Sequence, residues 1–85
     1  YNIAFDFISI PHVSIFRNSE NYYSTLFHEL THWTGAKKRL NRDGFYTSSD
    51  KDYAFEELVA ELGSLFHCMR FNISTEDTQH PEYLK

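Results

Sequence analysis

The chain has 85 residues, a formal net charge of -4 and one cysteine, Cys68. That is one small domain, near the size at which a core alone is marginal, with no internal disulfide framework. The acidic balance argues against a dedicated nucleic-acid-binding surface, whose footprint is normally basic, and no apolar run approaches a membrane span. A lone cysteine and a start without signal-peptide features favour the reducing cytoplasm. Eight Phe, six Tyr and one Trp mean that rings supply much of the area available for burial.

In chain order, residues 3 to 10, "IAFDFISI", are rich in β-branched and aromatic residues and stop at Pro11. They predict a strand at a sheet edge. Asn18 or Ser19 is a helix N-cap, and Tyr23, Leu26, Phe27, Leu30 and Thr34 fall at helical spacing up to Gly35, a natural stop. The polar stretch that follows, through Gly44 and a Thr-Ser-Ser-Asp run, predicts a long exposed connection ending in a helix cap. A second helix is predicted from about Asp52 to about Arg70, with Phe55, Leu58, Val59, Leu62, Phe66 and Met69 as its apolar stripe. Gly63 interrupts it, and the usual compensation for a helical glycine is close approach of another backbone, here the first helix. Beyond Ser74 or Thr75 a short last helix is predicted. These elements add up to an α+β domain: an edge strand or small sheet and two helices.

Within "LFHELTHWTG", residues 26 to 35, His28 and His32 are one helical turn apart on one face. Two imidazoles so placed can converge on one ion at about 2.0 to 2.1 Å, the geometry of zinc ligands. Glu29, rotated by one residue, can reach a water at that ion while being poorly placed to ligate, which is the general-base position of HExxH. A solvated helix face is the bland alternative, but Phe27 and Trp33 leave few purely exposed positions. A third ligand is offered by "FEELVAEL", where Glu57 and Glu61 share a face. Glu57 is assigned as ligand and Glu61 as the carboxylate that holds a ligating histidine in its tautomer. Glu56 is read as an ordinary charged position pointing away from both.

The run "YYSTLFHELTHWTG", then "RLNR", then "YAFEELVAELGSLF" resembles the zincin-type metallopeptidase domain of ArdC-type antirestriction proteins and of related plasmid, phage and conjugation proteins with TraC-like primases. The resemblance covers the chain from Asp6 through Phe66 and implies a zincin-like minimal core with zinc as cofactor. It matches His28 and His32 to the paired ligands, Glu29 to the base, Glu57 to the downstream glutamate ligand, and Glu61 to an acidic residue four positions later. In that family the domain commonly follows a single-stranded-DNA-binding domain, so residues 1–85 are expected to be one domain of a longer mobile-element protein that protects entering DNA from restriction. At "HPEYLK" the chain departs from the family, whose members continue into another helix bearing a tryptophan.

The chemistry expected is hydrolysis of a protein or peptide by metal-activated water, with the 3–10 strand pairing an extended substrate. The alternative is a metal-stabilised, non-catalytic module that contacts DNA or restriction-system proteins; no membrane partner is expected. His12, His67 and His80 are read as structural or exposed. Tyr46, Tyr53 and His12 are equal candidates for stabilising an oxyanion. For the basic cluster of Lys37, Lys38, Arg39 and Arg42, a role at the helix C-terminus competes evenly with a nucleic-acid contact. Cys68 is expected in the core.

Overall fold

In a computed structural model, which describes residues 1–47 and 49–74, the molecule is built on two helices, α1 at Ser19–Thr34 and α2 at Asp50–Arg70. A single 3-10 turn at Val13–Ile15 precedes them. The Asn18 side chain caps α1 by accepting from the Asn21 amide at 2.8 Å, and Ser49 caps α2 by accepting from the Asp52 amide. Acidic residues follow each cap, Glu20 in α1 and Asp50 and Asp52 in α2, where the helix dipole favours them. The helix-end role of the basic cluster is carried by two arginines. Arg39 Nε donates to the Trp33 carbonyl at 2.7 Å and Arg42 Nη2 to the Thr31 carbonyl at 2.9 Å, so open carbonyls in the last turn of α1 are satisfied.

Among the described residues there is no strand and no sheet, so the α+β architecture expected from the sequence is corrected to two packed helices with irregular flanks. Residues 3–10 do not form the edge strand. Their start folds into a turn closed by one isolated bridge between Asn2 and Phe7, with the Asn2 amide donating to the Phe7 carbonyl at 2.8 Å. Asp6 sits at φ 56°, which breaks the extended run. Its carboxylate is bound by Arg39, by Lys38 at 2.7 Å and by the Tyr1 hydroxyl. These contacts, Arg39 foremost, hold the Asp6 carboxyl well below the usual carboxylate range. A strand is defined by its partner, and the residues that favoured extension here have none among those described. The short helix predicted after Ser74 lies outside the described residues.

The helices meet largely through small and polar side chains, with Leu65 of α2 also buried and Phe27 of α1 stacked on His67 of α2. Ala60, Ser64 and Cys68 of α2 are buried, and Ser64 Oγ donates to the Ser24 carbonyl of α1 at 2.7 Å. Gly63 faces Thr31 so closely that a β-carbon there would lie 2.3 Å from Thr31 Oγ1; the first helix approaches as predicted, but with a side chain rather than its backbone. Most of the apolar stripe predicted for α2 does not pack: Phe55, Leu58, Phe66 and Met69 are 59%, 46%, 61% and 68% exposed, while Val59 and Leu62 are half-buried. In α1 the same inversion holds, with Leu30 exposed and Ser24 buried. Positions 60, 64 and 68 lie about half a turn around α2 from 58, 62 and 66, so the face that packs is opposite the oily one. In the connection, Phe45 is buried and its ring occupies the space a side chain at Gly35 would need, at 2.6 Å from an ideal β-carbon.

Candidate metal centre

The packing face of α1 is also its histidine face. Because Ser24, His28 and Thr31 share it, docking α1 against α2 through Ser24–Ser64 and Thr31–Gly63 carries His28 and His32 onto the α2 face that bears Glu57 and Glu61. His28 Nε2 and His32 Nε2 lie 3.1 Å apart. Each is 3.2 Å from a different oxygen of Glu57, Oε2 for His28 and Oε1 for His32. Three donor groups from two helices thus converge on one point. A tetrahedral zinc site with bonds of about 2.0 to 2.1 Å has ligand–ligand edges of about 3.3 to 3.4 Å, which these separations approach. Two imidazoles and a carboxylate are also the donor set that a catalytic zinc takes when one position is left open.

The far nitrogen of each imidazole is held by a further carboxylate. His28 Nδ1 lies 2.9 Å from Glu61 Oε1, and His32 Nδ1 lies 2.8 Å from Glu56 Oε2. An Nδ1–H donated to a carboxylate leaves the Nε2 lone pair free, and both Nε2 atoms point to Glu57. The sequence predicts Glu56 on a solvated face pointing away; the structure corrects this. The side chains of His32 and Glu56 are each only 13% exposed. Glu56 in turn takes two bonds from Arg42, Nε to Oε1 at 2.8 Å and Nη2 to Oε2 at 2.9 Å. Burial works against charge on Glu56, yet the bonds from Arg42 and His32 outweigh it and hold the carboxyl below its ordinary value. A usable signal existed in the spacing, since 56, 60 and 64 recur every four residues and Ala60 and Ser64 are small. Nothing in the sequence marked Arg42 apart from the cluster around it.

Glu29 is not one of the three clustered donors. It lines the same cavity of about 410 Å³, together with His28, His32, Glu57 and Tyr53, and its Oε2 accepts from the backbone nitrogen of Tyr1. Of the three residues considered for an oxyanion, Tyr53 lines this cavity. The Tyr46 hydroxyl instead accepts from the Lys37 amide at 2.7 Å, and His12 accepts from the Ser14 amide at 3.1 Å as cap of the 3-10 turn. His67 stacks on Phe27 with centroids 5.2 Å apart, away from the cavity, and His80 lies outside the described residues. Cys68 is buried and its thiol is pushed up by that burial, consistent with a place in the core.

Two packed helices, one giving paired histidines at HExxH spacing and the other a facing glutamate, form a group that could hold a metal ion. The chain belongs to the zincin-like metallopeptidase family, whose pattern it matches over residues 1–85. It is 38% identical over 84 residues to each of two Escherichia coli proteins named DNA primase TraC, a match that covers 99% of this chain but only 8% and 6% of theirs. It is also 36% identical over 85 residues to a Sinorhizobium fredii (strain NBRC 101917 / NGR234) protein named Uncharacterized protein y4eC, covering 99% of this chain and 28% of that one. The chain therefore spans less than a tenth of the length of the two primases. No solved structure matches it. No helix among the described residues is long and apolar enough to cross a membrane.

Proposed function

We propose that this chain is the zinc-dependent peptide-hydrolysing domain of a longer mobile-element protein with an antirestriction role. The observation that carries the reading is the convergence of His28, His32 and Glu57 beside a fourth residue, Glu29, that shares their cavity without joining them. A zinc ion in that triangle would supply Lewis acidity, polarising a carbonyl oxygen and making water acidic near neutral pH. His28, His32 and Glu57 hold it. Glu61 and Glu56 keep the two imidazoles turned toward it. Glu29 takes a proton from the attacking water and returns it to the leaving amine, which requires a carboxylate free of the ion and within reach of the cavity. The Tyr53 hydroxyl, on the same wall, is the side chain available to a developing oxyanion.

The antirestriction setting rests on the resemblance to ArdC-type proteins, and the relatives named as DNA primases support a place in DNA-handling proteins. The substrate in this reading is a protein. A purely structural zinc would be expected to take a closed set of four ligands and would have no use for Glu29. The competing reading, a metal-stabilised module that protects DNA by contact alone, makes the opposite prediction for that residue.

In the full-length protein, Glu29→Gln should keep one bound zinc and the fold while abolishing cleavage of the protein target, and should abolish antirestriction if cleavage is how DNA is protected. His28→Ala, His32→Ala and Glu57→Ala should each lose the zinc, measured by metal analysis on folded protein. Full antirestriction by Glu29→Gln, with no proteolysis detectable in the wild type, would establish the contact-only reading.

A further inference from the structure

The roles assigned to the cavity residues leave Arg42, which stands behind them, unused. Arg42 belongs to the connection between the helices, beyond the end of α1, yet its guanidinium reaches both helices at once. Nε and Nη2 bind the two oxygens of Glu56 at 2.8 and 2.9 Å. Nη2 also donates to the Thr31 carbonyl at 2.9 Å, and Nη1 to Thr34 Oγ1 at 3.1 Å. Thr31 directly precedes His32 and Thr34 follows it by two residues in the last turn of α1, so the planar fork is fixed on one side by the helix that carries the histidine and grips, on the other, the carboxylate that touches it.

Glu56 and Glu57 are consecutive, about 100° apart around α2, and they take opposite nitrogens of one imidazole: Glu57 faces His32 Nε2 at 3.2 Å and Glu56 faces Nδ1 at 2.8 Å. With Glu56 on Nδ1, the ring presents Nε2 to Glu57 and His28. Glu56 has several rotatable bonds, and the contacts with Arg42 and His32 are what fix them. A lysine would offer one point of charge there, whereas the arginine fork fixes both oxygens in a plane. Arg42 does not reach the His28 side of the site, where Glu61 holds Nδ1.

We propose that Arg42 is a positioning residue of the metal centre, acting through Glu56 to hold the His32 ring with Nε2 directed at the ion. The proposal rests on the zinc reading of His28, His32 and Glu57. Arg42 never touches the ion or the substrate. It makes zinc affinity depend on the connection between the helices, and it makes the two ligating histidines unequal, because His32 is held by a carboxylate and an arginine in series and His28 does not depend on that arginine.

The test is a double-substitution cycle in the intact protein, read as the zinc dissociation constant by competition with a chelator, with the His28→Ala protein defining the site. Arg42→Ala and Glu56→Ala should each weaken zinc about ten- to a hundredfold, and combining them should be no worse than Glu56→Ala alone. Arg42→Lys should fall between wild type and Arg42→Ala. Arg42→Ala combined with Glu61→Ala should weaken binding by the product of the single effects, since Glu61 acts on the other histidine. With cobalt in place of zinc, the visible absorption band should shift in Arg42→Ala and Arg42→Lys, as it reports the ligand field and not merely the fold. If Arg42→Ala does not fold, Arg42→Lys carries each comparison. Unchanged zinc affinity and an unchanged cobalt band in a folded Arg42 variant would overturn the proposal and leave the metal site standing. So would a loss from Arg42→Ala that is equally large in the Glu56→Ala background. A wild type whose zinc content equals that of His28→Ala would instead overturn the metal reading, and this proposal with it.

Discussion

The two faces of α2 differ in a way that runs against the ordinary rule. One carries Phe55, Leu58, Phe66 and Met69 and is exposed; the other carries Glu57, Ala60, Glu61, Ser64 and Cys68 and packs on α1. Apolar area alone would choose the first face for the core. The second is chosen because it is thin. Helix axes usually pack about 8 to 10 Å apart depending on the residues between them, a general range whose low end needs small side chains. The imidazoles of α1 and the Glu57 carboxylate of α2 meet at 3.2 Å, which is easiest where the two backbones are close. Ala60, Gly63, Ser64 and Cys68 supply that closeness, and the same stretch of helix that gives up hydrophobic burial therefore brings together the residues of the candidate metal centre.

The largest break in this arrangement should come from Gly63→Ala. The added methyl would lie 2.3 Å from Thr31 Oγ1 and 2.7 Å from Thr31 Cγ2, too close for either to stay. Turning Thr31 aside would disturb the bond its hydroxyl donates to the Phe27 carbonyl at 2.8 Å and would still leave its Cβ 3.0 Å from the added methyl. Relief requires the helices to separate, at a cost of about 1 to 3 kcal/mol set against a gain of up to about 1 kcal/mol from helix propensity. Because Thr31 adjoins His32, zinc affinity should fall as well. Denaturant unfolding and chelator competition on one protein would show both losses together; a stabilised Gly63→Ala that binds zinc as well as wild type would mean that α1 does not pack there.

A smaller break on the same face is Ser64→Ala. Ser64 is 2% exposed, its hydroxyl donates to the Ser24 carbonyl, and it lies 3.2 Å from Ser24 Oγ. Removing one such buried bond should cost about 1 kcal/mol, with the spacing of the helices, and hence zinc affinity, almost unchanged. A loss of zinc comparable to that of Gly63→Ala would show that the Ser24–Ser64 bond, rather than the close approach at Gly63, sets the distance between the ligand-bearing helices.

What can be read in the sequence is local. The α1 limits follow from Asn18 and Gly35, the pairing of His28 with His32 on one face and of Glu57 with Glu61 on another follows from one-turn spacing, and the closeness at Gly63 follows from the absence of a side chain. What cannot be read depends on distant partners. The run at 3–10 has strand-like residues, but strands need neighbours, and Arg39 and Lys38 draw Asp6 into a turn instead. Periodicity assigns the stripe of α2 to the core because it shows that a helix has two unlike faces without showing which one meets a partner. Glu56 is misplaced for the same reason, and Arg42 is invisible because its role exists only once the connection has folded back over both helices.

The smallest effect should come from the face the sequence favoured. Phe66 and Met69 are 61% and 68% exposed, so truncating them removes little area from contact. Phe66→Gln and Met69→Gln place good helix formers at solvent-facing positions, and each should change stability by about 0.5 kcal/mol or less, as surface substitutions usually do. Zinc affinity should not move at all, because neither residue lines the cavity that holds His28, His32 and Glu57. The comparison with Gly63→Ala is sharp for that reason: loss of a whole ring on one face should matter less than gain of one methyl on the other. Measured in the 85-residue chain by denaturant unfolding, a cost of about 2 kcal/mol or more for either substitution, the size expected of a core truncation, would mean that the outer rings are buried in solution. The close approach of α1 would then no longer suffice to explain why this helix is oriented as it is.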